Sequence, residues 1–327
     1  MEEFRKEEER VARARLAGLR HALPRLDWAR AQFLVSDSNE IWRVDDVVLR
    51  VCWRGDRNRL LLDAAVAREL PAAVRGPEVL DAGTTGDIAW QITRYVPGTA
   101  PGDDFFDRDS VRLQAMTEEL ATLLRALHAW QPPPSAAALL DARERPRPNE
   151  IGVNLLTLPV ARTMTLFEPA RRLPYVDPEL LRAVERRVGE LAPVDPFASA
   201  ERRPVVHGDA HFWNTIVDAH GIAALLDYEW CRFSPIDAEL AIWLHVLRQQ
   251  RTRRPDREPP PILTWLRDAY PEMFASPNLE GRLWLYALVF HLHGVLVWPP
   301  DAPEHELVAS HHIHALRALV ERPPALS

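Results

Sequence analysis

Two carboxylates and one amide lie at the ends of short apolar runs between positions 204 and 241. Asp209 follows the apolar run 204–206, Asn214 comes directly before the run 215–217, and Asp227 ends the run 222–226. Apolar runs of this length bounded by turn residues are typical of strands, and a turn at 218–221 is expected to reverse the chain. The sequence therefore predicts a small hairpin with three polar side chains at one end.

This set of side chains suits phosphoryl transfer, in which catalysis is mostly positioning and neutralisation of phosphate charge. One carboxylate can orient an attacking hydroxyl and accept its proton. An amide oxygen and a second carboxylate can hold magnesium on the phosphates of a nucleotide.

The spacing H-x-D-x-x-x-x-N, followed by an apolar strand that ends in Asp, resembles the catalytic loop and metal-binding Asp of the kinase fold. Gly208 stands where protein kinases have Arg, and the motif is similar to that of the aminoglycoside phosphotransferase and choline kinase family. The resemblance implies that Asp209 is the base within a catalytic motif that includes His207, and that Asn214 and Asp227 bind the metal. The alternative has His207 as a core histidine, Asp209 as a turn residue and Asp227 as an exposed strand end.

Residues 31–95 form a strand-rich region, with apolar runs at 33–35, 41–44, 47–52 and 88–95. It resembles the small lobe of a kinase, which implies that Ser36, Ser38 and Asn39 lie in the loop over the phosphates. Arg50 would be the basic residue that binds them. The loop has no glycine and the basic residue is not lysine, yet backbone N–H groups and a guanidinium fork both bind phosphate oxygens.

The same resemblance implies two further roles in this region. Glu69, near the end of a predicted helix over 59–70, is expected to form an ion pair with Arg50; the alternative is an ordinary surface acid. The adenine edge is expected to bond to the backbone from Ile92 to Arg94, just before 96–98 breaks the strand as a hinge.

Beyond residue 96 the pattern is helical, with helices predicted over 111–130, 178–191 and 236–250. The proline-rich segment 131–178 is long for a bare loop and is expected to contain short helices lining the acceptor cleft. Asp237 and Glu239 are alternative supports for the catalytic loop. Near the C-terminus, His311 and His314 share a helix face, and a metal site is the alternative interpretation of this pair. The favoured interpretation is that the C-terminal histidines line the acceptor cleft.

Composition limits the partners and the compartment. The formal net charge of −7 and the pI of about 6.0 argue against a nucleic-acid partner held by bulk electrostatics. Cys52 and Cys231 form neither a disulfide framework nor a metal-ligand spacing. No secretion signal and no apolar run of membrane-spanning length is found, so a cytoplasmic protein without a membrane partner is expected.

These observations predict a bilobal, protein-kinase-like α+β fold, with an N-terminal lobe over 1–95 and a larger helical lobe over 96–327. ATP or another nucleoside triphosphate, with Mg²⁺, would lie between the lobes. The expected reaction transfers the γ-phosphoryl group to a hydroxyl of a small molecule, such as an aminoglycoside antibiotic or a metabolic amino alcohol or sugar. The alternative is a catalytically inactive kinase-like module that binds a nucleotide or a partner. Protein kinase activity is disfavoured because no A-P-E segment closely follows Asp227; the A-P-E at 302–304 lies 75 residues further on.

Overall fold

The protein is described from a computed structural model over residues 2–34, 39–53, 57–102, 105–106, 110–144, 159–198 and 203–324. The described residues of the N-terminal part form five strands and two α-helices, namely α1 (Glu2–Leu19), β1 (Gln32–Leu34), β2 (Glu40–Val44), β3 (Val47–Cys52), α2 (Asn58–Glu69), β4 (Val79–Thr85) and β5 (Ile88–Arg94).

The rest of the described chain is mostly helical, with four short strands around the predicted catalytic loop. Its helices are α3 (Ser110–Ala129), α4 (Pro134–Glu144), α5 (Val160–Met164), α6 (Phe167–Ala170), α7 (Pro178–Glu190), α8 (Glu239–Arg253), α9 (Ile262–Ala269), α10 (Leu279–Val297) and α11 (His312–Glu321). Its strands are β6 (Val205–Val206), β7 (Thr215–Val217), β8 (Ile222–Leu225) and β9 (Arg232–Phe233).

The N-terminal strands form one antiparallel sheet in the order β1-β2-β3-β5-β4. In β3, Leu49 and Val51 are fully buried in a core shared with Leu16 and Leu19 of α1. Because neighbouring side chains of a strand point to opposite faces, Arg50 lies on the other face of the sheet, where α2 packs against β4 and β5. The fold thus places one strand cation between the sheet and α2.

Two apolar cores stabilise the helical part. The larger one joins α3, α8, α9 and α10 through buried residues that include Leu124, Trp243 and Leu266. The second lies between α6, α7, α10 and α11. No helix in the described part of the chain is long and apolar enough to cross a membrane.

The predicted hairpin is present as β7 and β8, with Thr215 opposite Leu225. Its turn is held by Asp218, whose Oδ1 accepts from the N–H of His220 at 2.6 Å and of Gly221 at 3.1 Å. The short strand before the loop, β6, does not extend this hairpin and pairs instead with β9. The loop carrying Asp209 therefore connects two separate two-stranded sheets.

The predicted fold class is confirmed, with a strand-rich N-terminal sheet and a helical C-terminal part. The helices predicted over 59–70, 111–130 and 178–191 correspond to α2, α3 and α7, and the segment 131–178 contains three short helices in its described portions. The edge strand β4 has no counterpart in the sequence analysis. A division of the lobes after residue 95 stays a prediction.

After β5 the chain passes close to the hairpin and pairs with β7. Thr99 and Val217 exchange two backbone hydrogen bonds, of 2.8 and 3.0 Å. The residue before this bridge, Gly98, has a φ of 143°, and a Cβ there would lie 2.7 Å from the carbonyl oxygen of Val217. Only glycine fits this crossing without a shift of the backbone.

Replacing Gly98 by Ala should therefore destabilise the protein through both backbone strain and crowding. Gly86 is the matched control, because it also has a positive φ, 55°, but a Cβ there meets nothing within 4 Å. We expect Gly98→Ala to lower the free energy of unfolding by more than about 2 kcal/mol and Gly86→Ala by about 1 kcal/mol. Denaturant unfolding of the two variants measures the difference, and equal losses would show that the contact with Val217 does not crowd the chain.

Candidate active site

The hairpin brings the predicted metal ligands together. The pairing of β7 with β8 continues one residue beyond the strands, where the N–H of Leu226 donates to the carbonyl oxygen of Asn214 at 2.8 Å. Asn214 thus lies beside the residue that precedes Asp227. Asp227 has left-handed backbone angles, φ 69° and ψ 61°, and begins the 3₁₀ turn Tyr228–Trp230. Non-glycine residues in this region cost about 1–3 kcal/mol each and concentrate at functional sites.

Asp209 is held from both sides of its carboxylate. The amide nitrogen of Asn214 donates to Oδ2 of Asp209 at 2.8 Å and to its carbonyl oxygen at 2.9 Å. On the other side, Nε2 of His211 lies 3.2 Å from Oδ1. The side chain remains 20% exposed, so a partner from solvent can reach a carboxylate whose direction is fixed.

His207 has a structural role that differs from the predicted catalytic one. Its side chain is fully buried, and Nδ1 accepts from the N–H of Asp209 at 3.2 Å. Its Nε2 lies 2.9 Å from the carbonyl oxygen of Leu226, so the proton of the neutral ring belongs on Nε2. Because both nitrogens are used by backbone groups, His207 positions the loop against the end of β8 and is not a group that meets the substrate.

Glu239, at the start of α8, resolves the open choice of support for the catalytic loop. Its carboxylate accepts from the N–H of His207 and, at 3.1 Å, from the N–H of Gly208. Burial by itself would raise the pKa of Glu239, but the hydrogen bond and charge of His128, with His207, lower it below the usual value. Asp237 instead accepts from Ser276 at 3.0 Å and pairs with Arg282 at 2.7 Å, away from the loop.

The conformation that lets the loop bind Glu239 also requires glycine at position 208. Its φ is 82°, and a Cβ would lie 2.8 Å from the carbonyl oxygen of Trp230. The backbone must take this left-handed conformation for two successive N–H groups to face one carboxylate. The H-G-D tripeptide is therefore explained locally, with glycine at the point where the chain has no room.

Arg50 connects the N-terminal sheet to the hairpin. Its Nη2 lies 2.7 Å from Oδ1 of Asp227, and its Nη1 donates to Asp63 of α2 at 2.9 Å and to Gln91 of β5 at 3.2 Å. Glu229 is 3.6 Å away. Burial opposes the charge of the guanidinium, but the carboxylates of Asp227, Asp63 and Glu229 outweigh it and raise the pKa of Arg50. Arg50 therefore stays charged in a largely buried site.

The predicted ion pair between Arg50 and Glu69 is wrong. Glu69 is the exposed last residue of α2, whereas Asp63, 2% exposed, occupies the buried face of the helix. Asp63 is fixed there by the amide nitrogen of Gln91, which donates to its Oδ1 at 2.6 Å. The face that α2 packs against the sheet thus places Asp63, six residues before Glu69, opposite Arg50.

Glu229 is a site residue that the sequence analysis missed. It is 1% exposed, pairs with Arg59 of α2 at 2.9 Å, and accepts from the amide nitrogen of Asn39 at 3.3 Å. Burial and the nearby charge of Asp227 raise the pKa of Glu229 to about 7, against the opposing effect of Arg50 and Arg59. In the sequence, Glu229 is recognisable as a second acid two residues after Asp227, in the pattern D-x-E.

The other residues predicted to bind the nucleotide lie in different surroundings. Asn39 is buried beside Glu229, and Ser36 and Ser38 lie outside the described residues. Ile92 is buried in β5, which pairs with strands on both sides. The exposed side chain of Arg94 binds Glu78 and Asp46, and its N–H donates to the carbonyl oxygen of Glu78 at 2.8 Å, so this N–H is not free for a base.

The residues at the end of the hairpin fit a magnesium ion bound to phosphates. Amide and carboxylate oxygens are ligands that this ion accepts, and it usually needs only one or two protein ligands beside phosphates and water. The nitrogen of the Asn214 amide faces Asp209, which leaves the amide oxygen for a cation, and Arg50 already binds Asp227 as a cation. In the described parts of the chain, no group of three or more His, Cys, Asp or Glu side chains could hold a metal without such added ligands.

A comparison of Asp63 with Glu69 tests the correction. Asp63→Asn removes the charge that faces Arg50, and we expect it to lower the free energy of unfolding by about 1–3 kcal/mol, as for a hydrogen bond to a charged group. Glu69→Gln changes an exposed side chain and should stay within about 0.5 kcal/mol of the wild type. Denaturant unfolding at constant pH measures both, and a larger loss in Glu69→Gln would contradict the pairing with Asp63.

Comparisons with known proteins agree with this geometry. Residues 22–273 match the family model of the APH phosphotransferase enzyme family. A search of curated proteins found no match.

Solved structures with the same fold are distant in sequence. The aminoglycoside phosphotransferase APH(4)-Ia is 16% identical with a TM-score of 0.59, over 94% of this chain and 98% of that one. A choline/ethanolamine kinase family protein from Mesorhizobium loti is 18% identical with a TM-score of 0.57, over 90% and 88%. APH(3'')-Id from Streptomyces rimosus is 17% identical with a TM-score of 0.55, over 86% and 98%. Because the family model spans more than half of the chain, the protein belongs to the APH family of phosphotransferase enzymes.

Proposed function

We propose that this phosphotransferase moves the γ-phosphoryl group of ATP, or of another nucleoside triphosphate, to a hydroxyl group of a small molecule. The observation that carries the proposal is the contact between Arg50 of β3 and Asp227 at the end of β8. It joins a phosphate-binding cation to a candidate metal ligand within one site. Structural relatives support a nucleotide donor, since APH(4)-Ia was solved with AMP-PNP and hygromycin B, and APH(2'')-IIa with ATP and streptomycin.

Asp209 is the proposed general base. Its carboxylate accepts the proton of the acceptor hydroxyl as that oxygen forms a bond to the γ-phosphorus. The bond between the γ-phosphorus and the bridging oxygen breaks, and the nucleoside diphosphate leaves with the electron pair. Asn214 and His211 hold the two carboxylate oxygens, so the base is oriented before the acceptor arrives.

The phosphates are bound by groups from both parts of the chain. The guanidinium of Arg50 is held by Asp63 and Gln91, which leaves it directed toward Asp227 at the hairpin. The amide oxygen of Asn214 and the carboxylate of Asp227 are the proposed magnesium ligands. When bound, magnesium neutralises the negative charge of the phosphates.

Glu229 and Arg59 are proposed to position the loop that precedes β2. They form a 2.9 Å ion pair beneath Asn39, the first described residue after the segment expected over the phosphates. Both side chains are largely buried, so the pair is protected from screening by salt. This arrangement offers a support for a loop that contains no glycine.

An assay with candidate acceptors tests the proposal as a whole. Release of nucleoside diphosphate is measured with ATP and magnesium against aminoglycosides, amino alcohols and sugars, and the phosphorylated product is identified by mass spectrometry. We expect acceptor-dependent release that is lost in Asp209→Asn. Magnesium-independent nucleotide binding with no turnover of any acceptor would instead support the inactive, nucleotide-binding module.

Asp209→Asn and Asp227→Asn should fail in different ways. Asp209→Asn keeps the size of the side chain and removes the base, so kcat should fall about 10²- to 10⁴-fold while nucleotide affinity stays within a few-fold. Asp227→Asn weakens the metal site and should also reduce magnesium-dependent nucleotide binding. Single-turnover kinetics and calorimetry with AMP-PNP separate the two effects. A near wild-type rate for Asp209→Asn would show that this carboxylate is not the base.

Variants of Arg50 should separate charge from geometry. Arg50→Ala removes the phosphate contact and should weaken nucleotide binding or slow turnover. Arg50→Lys should restore only part of the loss, because a point charge replaces a fork that bonds Asp63 and Asp227 at once. Nucleotide titrations of both variants measure this order, and full activity of Arg50→Ala would exclude Arg50 from phosphate binding.

A further inference from the structure

A second polar cluster lies between three helices of the C-terminal part. It consists of His245 and Arg248 on α8, His291 on α10 and His312 on α11, and is called here the histidine–arginine cluster. The ring centroids of the three histidines are 5.1, 5.7 and 6.0 Å apart. Trp298, which is 55% exposed, stacks on His312 at 5.5 Å, so the cluster reaches the surface.

The cluster adjoins the catalytic loop on the side of Asp209. His211 lies 3.2 Å from Oδ1 of Asp209, and the next residue, Phe212, packs on Trp243 of α8 with ring centroids 5.2 Å apart. Trp243 comes two residues before His245, and His211 contributes to the lowering of the pKa of His245. On its other side the ring of His211 contacts Trp213, with centroids 5.3 Å apart. A molecule that presents a hydroxyl to Asp209 therefore has this cluster as a neighbour.

Three polar atoms in and beside the cluster are buried without a hydrogen-bond partner among the described residues. They are Nη1 of Arg248, Nδ1 of His245 and Nδ1 of His211. Burial lowers the pKa of Arg248, with no described carboxylate raising it. A polar atom that is buried without a partner costs free energy, and a bound ion is one way to satisfy it.

The surroundings of the cluster are also basic. Burial is the largest cause that lowers the pKa of His245 to about 3 and of His312 to about 4, and Arg248 lowers both further. The pKa of His291 is lowered by burial, His245, His312 and Arg248. The three rings are therefore neutral at pH 7. Arg248, one helical turn after His245 on α8, supplies the positive charge of the cluster.

A metal site does not explain the cluster. Nδ1 of His291 and Nδ1 of His312 are 3.0 Å apart, so one ring can donate directly to the other. His311 and His314, the pair suggested by the sequence, are engaged elsewhere: His311 caps α11 and His314 lies 3.6 Å from Glu304. Across the described residues no group of three or more His, Cys, Asp or Glu side chains could hold a metal ion.

We propose that the histidine–arginine cluster binds an anionic group, a carboxylate or a phosphate, of the acceptor. Arg248 supplies the charge and the neutral histidines supply hydrogen bonds. Assignment of the anion to the acceptor rests on the proposed function, through the contact of His211 with Asp209. The acceptor is then a hydroxy acid or a phosphorylated alcohol, and a polycation such as an aminoglycoside would meet Arg248 with like charge.

The first experiment measures binding of inorganic sulfate by calorimetry. AMP-PNP and magnesium are kept saturating, so that sulfate does not enter the nucleotide phosphate site. We expect sulfate to bind the wild type, and Arg248→Gln to weaken it about ten-fold or more, as for loss of a charged hydrogen bond. Arg251→Gln, an exposed arginine of the same helix, is the matched control and should stay within about two-fold.

The titrations distinguish failure of the anion site from failure of the proposed function. No sulfate binding by the wild type, or equal binding by Arg248→Gln, overturns the proposal. Arg248→Lys keeps the positive charge, so its affinity for sulfate should lie between those of the wild type and Arg248→Gln. Arg248→Lys also provides the test if Arg248→Gln does not fold. Failure of magnesium and AMP-PNP to bind, measured in the same titrations before sulfate, would overturn the proposed function and leave the anion site to be judged by sulfate alone.

The second experiment identifies the source of the anion. Glycerate, glycerol 3-phosphate and glycerol share hydroxyl groups and differ in charge, and hygromycin B is the polycationic probe. We expect the two anions to displace sulfate, and glycerol and hygromycin B to leave it bound. Displacement by inorganic phosphate but by neither anionic alcohol would make this a site for a free ion. Tighter binding of hygromycin B than of the anionic alcohols would overturn the acceptor class.

Discussion

The site depends on one buried cation, Arg50, held between carboxylates from different elements. Asp63 belongs to α2, Asp227 follows β8, and Glu229 lies in the turn after it. Such a pair is tolerated in the interior only when the charges are matched and hydrogen-bonded. With Arg59, two guanidinium groups face three carboxylates. Burial, together with the nearby charge of Asp227, raises the pKa of Glu229 to about 7. The one negative charge in excess is the charge that a bound cation would balance.

A second tether acts from the helical part. Glu239 at the start of α8 binds two N–H groups of the catalytic loop, and His128 of α3 lies 3.4 Å from the same carboxylate. The two tethers meet through His207, whose ring bonds both the N–H of Asp209 and the carbonyl of Leu226. The proposed base and the candidate metal ligand are therefore oriented by different parts of the chain, joined through one buried imidazole.

The strands and the polar residues beside them were predictable, because apolar runs in β3, β7 and β8 are bounded by charged or amide residues. The partner of Arg50 was not, since Asp63 and Glu69 lie on one helix and only its packing phase on the sheet selects Asp63. The choice between Asp237 and Glu239 likewise depends on where α3 and α10 supply His128 and Arg282. The edge strand β4 escaped notice because it is partly exposed and carries polar residues and glycine in place of an apolar run.

Asn214 connects the proposed base, Asp209, with the candidate metal site at the end of the hairpin. Its amide nitrogen is committed to Asp209, at 2.8 Å from the carboxylate, so its oxygen must point away from the base. A cation on that oxygen would polarise the amide and strengthen its donation to Asp209, as in other chains of hydrogen bonds. The same interaction would fix the direction of the Asp209 carboxylate. Such an arrangement suits a reaction with a loose transition state, in which the acceptor hydroxyl needs to be aimed more than it needs to be deprotonated early.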